Sequence, residues 1–240
     1  MNVSIHANAD AANTAAADTL AQFLLDPKTR NVMVAAGNTP IDLYKRIAQK
    51  GLNLSHLNIF VLDEYVGVPA DEPRNCASLL RETVRDGWGI PSAQFHSVSP
   101  MKSDALESVL RHEERIASLG GLDVSILGLG QNGHLGFNEP GSAEDSTGRI
   151  LDLEMISVEA NRKWFGGDYA PDQGVTVGLR TILATRSVIL LAYGLHKVNA
   201  VHGMVSGPRD SRNPASFLQT HLDTHIFIDR DAASGLESIP

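Results

Sequence analysis

A histidine and a glutamate stand close together in LGLGQNGHLGFNEPG, residues 127–141, with Gln131, Asn132 and Asn138 beside them. A carboxylate that binds one imidazole nitrogen fixes the tautomer and makes the ring a better proton carrier, so His134 and Glu139 together could move a proton. A surface histidine that meets an acid by chance has the same spacing, and the stretch alone leaves both readings open. Gly128, Gly130 and Gly133 also match the spacing of a dinucleotide-binding fingerprint. That fingerprint must open a long helix, whereas Gly136, Pro140 and Gly141 interrupt the chain soon after Gly133. The glycines are therefore read as a tight turn that brings His134 to a strand end.

Three further places carry chemistry-bearing types. In FVLDEYVGVP an apolar run ends in Asp63 and Glu64, and successive strand residues point to opposite faces, so only one carboxylate can face a given cleft. Such a carboxylate, partly desolvated, can serve as a general base near neutral pH; a turn-capping Asp63 beside a solvated Glu64 is the alternative. In VAAGNTPIDLY, Gly37, Asn38 and Thr39 precede a helix with Pro40 in its first turn. Free amides and the positive end of the helix dipole would favour a phosphate there; the same residues would also make an ordinary capped turn. In YGLHKVNAV, Lys197 falls in the first turn of a helix, where a cation opposes the dipole unless an anion is bound, although a solvated lysine needs no such reason.

These residues need elements to hold them. Apolar, β-branched runs at 31–36, 57–63, 122–130, 187–194 and 224–229 read as buried strands, and helical spacing recurs over Ala11–Leu25, Pro40–Gln49, Ser78–Arg85, Ala105–Leu119 and Leu195–Met204. The alternation predicts an α/β, Rossmann-like single domain, with a mostly parallel sheet and helices on both faces. The Gly-, Asp- and Ser-rich segment 141–173 reads as a surface excursion that could act as a lid. Ligands of such sheets bind beyond the carboxyl ends of the strands, and all four places named above follow predicted strands.

Composition narrows the function classes. The 240 residues, 42% hydrophobic, are enough for one full core. A net charge of -8 with scattered basic residues argues against nucleic acid as a partner. Cys76 is the only cysteine, which excludes an intrachain disulfide and fits a reducing compartment. No signal peptide or membrane-length apolar run is visible, so a cytoplasmic protein is expected. The nine histidines show no metal-binding spacing, and neither a nucleophile elbow nor a cysteine nucleophile beside a histidine is present. No metal and no cofactor are expected, and either a monomer or a homo-oligomer is compatible with the sequence.

VAAGNTPIDLY, VLDEYVGVP, LGLGQNGHLGFNEPG, GVTVGLRTIL, YGLHKVNAV and PASFLQTH occur in an order and spacing that resembles the glucosamine-6-phosphate and galactosamine-6-phosphate deaminase/isomerase family over nearly the whole chain. The resemblance implies a small-molecule amino-sugar phosphate as substrate, isomerised and deaminated to a ketohexose 6-phosphate and ammonia. It implies Asp63 as the base that moves a proton between C2 and C1, and His134, held by Glu139, as the ring-opening group. Gly37, Asn38 and Thr39 match the phosphate turn and Lys197 the phosphate-binding lysine. In EANRKWFGG the family's phosphate-facing arginine falls at Lys163, with Arg162 one residue earlier.

Asn132 departs from the aspartate usual in the glucosamine-6-phosphate deaminases. Asparagine brings no negative charge, which implies a less basic His134 than in an Asp-bearing relative. The GLGxNGHLG form and PASFL resemble the galactosamine-6-phosphate branch, and the expectation leans towards that epimer. The chain ends soon after DRDAASGLESIP, which implies no activation by N-acetylhexosamine 6-phosphate. A 6-phosphogluconolactonase-type hydrolase and a non-catalytic sugar-phosphate-binding domain are the alternatives.

Overall fold

A computed structural model describes residues 1–236. In chain order the elements are β1 (Asn2–His6), α1 (Ala9–Leu25), β2 (Asn31–Val34), α2 (Asn38–Gln49), β3 (Asn58–Val61), β4 (Asp63–Tyr65), α3 (Cys76–Leu80), β5 (Phe95–His96), α4 (Ala105–Ser118), β6 (Val124–Gly128), β7 (Arg149–Asp152), α5 (Met155–Trp164), β8 (Gln173–Thr176), α6 (Leu179–Leu183), β9 (Ser187–Ala192), α7 (Val198–Val205) and β10 (Thr224–Asp229). Seven strands form one sheet in the order β1-β10-β9-β6-β2-β3-β5. Every pairing in it is parallel. The expected α/β, mostly parallel architecture is therefore the observed one.

The central strands are buried on both faces, and alternate residues feed two separate cores. Val32, Val34, Ile59, Val61, Val124 and Ile126 pack with α1 and α2. Met33, Phe60, Leu127, Val188 and Leu190 pack on the other side with α4 and α7. Such two-sided burial is why these strands are continuous apolar runs in the sequence. α1 starts where Asn8 accepts the Ala11 amide through its side chain at 2.9 Å.

The sequence reading missed a second sheet. β4, β8 and β7 pair antiparallel in the order β4-β8-β7. Leu62 is the junction: its amide donates to Val34 of the main sheet, and its carbonyl accepts from Val177 beyond β8. Asp63 and Glu64 thus begin a new strand rather than end the old one. Residues 141–173, expected as an irregular excursion, contain β7 and α5 and are tied into this small sheet. The helix expected at Ser78–Arg85 is α3 followed by a wider π-helical turn over Arg81–Asp86. Among the described residues no helix is long and apolar enough to cross a membrane.

Candidate active site

β2 and β6 lie side by side, but the chain leaves β2 towards β3 and leaves β6 towards β9, in opposite directions across the sheet. The crevice at such a reversal is where open α/β sheets bind ligands. A cleft of about 290 Å³ occupies it. That volume sits at the lower edge of the roughly 300–1,000 Å³ usual for small-molecule sites and suits a sugar phosphate better than a dinucleotide.

One wall is the start of α2. Gly37, Asn38 and Thr39 line the cleft, and no side chain caps the helix, so its first amides are left for a ligand anion. Lys197 reaches the same cleft from the 3₁₀ turn that leads into α7, and its ammonium donates to the carbonyl of Leu129. Burial pushes this ammonium down to about 8. Its partner is a neutral carbonyl rather than a carboxylate, so its charge remains available to an anion.

Asp63 lies on the cleft, 7% exposed. Burial, aided by the adjacent Glu64 charge, raises its carboxyl from the ordinary aspartate range to about 7. The strand geometry that turns Asp63 inward sends Glu64 the other way. Glu64 is completely buried, not solvated, and its carboxylate accepts the backbone amides of Tyr65 at 2.9 Å, Cys76 at 3.0 Å and Ala77 at 2.8 Å. Burial raises Glu64 too, against the three bonds that favour its ionised form. It anchors the first turn of α3 behind the cleft wall. Glu64→Ala strands these buried donors and is expected to lower stability by about 2–4 kcal/mol in urea titration; an unchanged unfolding midpoint would remove Glu64 from this role.

The turn after β6 places the imidazole. Gly133 has φ +85°, and a Cβ there would fall 2.2 Å from Asn213. A Cβ on Gly130 would lie 2.3 Å from the His134 ring. Both glycines are required by close packing around the histidine, and no helix follows them. His134 lines the cleft, with Nδ1 3.3 Å from Glu139 Oε2. Burial draws the Glu139 carboxyl up, but hydrogen bonds from His134, Ser157 and Asn132 outweigh it and hold the group below the usual glutamate range. Glu139 and Asn132 are not on the cleft wall; they sit behind the histidine.

α5 brings a residue that the sequence reading did not single out. Ser157 Oγ donates to Glu139 Oε1 at 2.6 Å and lies 3.5 Å from His134 Nδ1. Its segment shows weak periodicity in the sequence, so nothing local marked it. His196, next to Lys197, also lines the cleft. Lys163 borders a neighbouring cavity that shares Asn38, Gln131 and Ala160 with the main one, whereas Arg162 lines neither. Of the two basic residues, only Lys163 borders a cavity that reaches Asn38.

Residues 4–226 match the family described as glucosamine-6-phosphate isomerases/6-phosphogluconolactonase. A glucosamine-6-phosphate deaminase of Cutibacterium acnes is 38% identical over 98% of this chain and 92% of its own length. One from Hahella chejuensis is 35% identical over 100% and 93%. Among solved structures, a monomeric glucosamine-6-phosphate deaminase superposes with a TM-score of 0.93 at 28% identity, covering 98% of this chain and all of the other. The 6-phosphogluconolactonase of Trypanosoma brucei, at 22% identity and a TM-score of 0.81 over 98% of both chains, shares the fold.

Proposed function

The chain belongs to the glucosamine-6-phosphate isomerase/6-phosphogluconolactonase family, and we propose that it isomerises and deaminates a 2-amino-2-deoxyhexose 6-phosphate, with glucosamine 6-phosphate as the preferred epimer. The carrying observation is the pairing of differently tuned acids at one cleft: Asp63 on its wall, poised near neutrality, and Glu139 behind it, kept ionised beside the wall residue His134. Two carboxylates driven apart in this way divide base and supporting roles between them.

In this reading the substrate phosphate sits on the amides at Gly37–Thr39 and on Lys197, with Lys163 at the rim. His134 takes the anomeric hydroxyl proton and returns one to the ring oxygen, which opens the pyranose, while Glu139 supports the imidazolium. Asp63 removes the C2 proton from the open aldehyde form and delivers it to C1, while the aldehyde oxygen takes up the proton that the C2 ammonium gives up. The nitrogen on C2 becomes an iminium, water adds there, and ammonia leaves with formation of the ketone. Ring opening and isomerisation are proton transfers at groups the cleft already presents, hydrolysis of the iminium needs only water, and none of these steps calls for a cofactor. Helix α5, within 141–173, would cover the sugar once it is bound.

The lean towards galactosamine rested on Asn132 and PASFL. The relatives at 35–38% identity carry the glucosamine name, which supports that epimer instead. Ammonia release measured side by side on the two amino sugars is expected to favour glucosamine 6-phosphate by about tenfold or more in kcat/KM. Turnover of 6-phosphogluconolactone without ammonia from either sugar would select the hydrolase instead, and silence on all three compounds would leave only a binding role.

A further inference from the structure

Asn132 is held between two carboxylates. Its Nδ2 lies 2.5 Å from Glu139 Oε2 and 2.7 Å from Glu154 Oε2, while its Oδ1 accepts the His134 backbone amide at 3.3 Å. Ionised carboxylates only accept, so the atom between them must be the amide nitrogen, and both its hydrogens are used. Turning the amide over would set its oxygen against two anions. Polar contacts therefore run without a gap from Glu154 through Asn132 and Glu139 to the imidazole on the cleft wall. Glu154 stands at the N-cap of α5, the helix that also delivers Ser157 to Glu139.

We propose that Glu154 is a positioning residue for His134, supplying from α5 the negative charge that an aspartate at position 132 would otherwise bring. The inference rests on the reading of His134 as the ring-opening group. Glu154 and Asn132 then form one unit, a neutral double donor flanked by acids, and the two positions are not independently exchangeable. Aspartate at 132 beside Glu154 and Glu139 would bring three acceptors together with no donor between them. Glutamine at 154 would restore a donor to that aspartate. The other charged or titratable groups on the cavities at either side of the turn are Asp63, Tyr65, Cys76, His196 and Lys197 in the cleft, and the mutually paired Asp210 and Arg212 behind it. Glu154 is exposed, so solvent screens its charge and the effect on the ring is modest; glutamine at this position can still accept from Asn132 and removes that charge alone.

The test is a double-variant cycle of Glu154→Gln, Asn132→Asp and the two combined, with the titration of the His134 ring followed by NMR and the kcat and KM of ammonia release measured across pH. Glu154→Gln is expected to lower kcat about 2- to 5-fold, the range for a solvent-screened charge, with KM little changed. The NMR signals of the His134 ring should move as well, because a supporting anion is gone. Asn132→Asp alone should likewise be impaired, and the double variant should regain most of the activity of the parent. Glu154→Gln with unmoved His134 signals, or a double variant whose loss is the product of the single losses, would overturn the proposal. The NMR arm needs no turnover, so a wild-type protein that releases no ammonia but shows the His134 shift would sink the functional reading and leave the positioning role standing.

Discussion

Asp63→Asn is expected to reduce ammonia release by about 10³-fold or more, with sugar-phosphate binding close to that of the parent protein. The size follows from the loss of the only buried carboxylate among the described residues of the cleft wall, since general acid–base groups contribute about 10²–10⁴-fold and this one serves two proton transfers. Binding should survive because the proposed phosphate site is built from separate elements, the start of α2 and the turn before α7. Isothermal titration with a non-reactive hexitol 6-phosphate separates the two effects; a variant with near-normal turnover would remove Asp63 from the base role.

The same substitution should change stability in a pH-dependent direction. With its carboxyl at about 7 in the fold and about 3.9 in an unfolded chain, Asp63 keeps a proton in the native state that the unfolded state loses between these values. Stability therefore falls as pH rises through that window, and above it the buried anion costs up to roughly 4 kcal/mol. Asparagine carries no such cost. The variant should melt above the parent at pH 8, by a margin that shrinks towards pH 5. A margin independent of pH would mean that Asp63 is not the titrating group.

Lys197→Met is expected to cut kcat/KM by about 30- to 1,000-fold, mostly through KM, the cost of removing one partner of a desolvated charge pair. The parent should itself bind more weakly at alkaline pH. Its ammonium titrates at about 8 in the empty cleft, so above that pH Lys197 must regain its proton before it can pair with a substrate dianion, and affinity should fall towards tenfold per unit. Below about 8 the empty site holds an under-solvated cation, which depresses stability there, and the depression is relieved as pH climbs from about 8 towards the unfolded value near 10.4. Unliganded Lys197→Met should accordingly be somewhat more stable than the parent at pH 7. Added glucosamine 6-phosphate should raise the melting temperature of the parent far more than that of the variant, because only tight binding to the native state stabilises it. Equal thermal shifts would take Lys197 out of the phosphate site.

Five of the seven strands in the main sheet were legible because burial on both faces demands unbroken apolar runs, as in β2, β6 and β9. β1 was not, since this edge strand is partly exposed and mixes serine, asparagine and histidine among its apolar residues. The small sheet was missed for a related reason. β4 is three residues long and continues directly from β3, so no turn signal separates them; the change of sheet at Leu62 is set by its partners in β2 and beyond β8. α5 was hidden by its composition, with Met155 and Ile156 exposed and polar residues at buried positions such as Ser157 and Asn161.

The candidate site divides along the same line. By itself the sequence determined which chemical groups follow the strand ends: amides at Gly37–Thr39, a carboxylate pair at 63 and 64, a histidine in a glycine turn, and a lysine at a helix start. These are local facts, because turn chemistry and strand periodicity are set by near neighbours. The tertiary structure alone decided that Asp63 faces the cleft while Glu64 anchors backbone amides, since that depends on which sheet each side chain meets. It alone raised Asp63 towards neutrality, because desolvation is produced by everything packed around a group and not by the residues beside it in the chain. And it alone joined Glu154 to Asn132, 22 positions earlier, because where a helix lands is decided by the sheet it packs on.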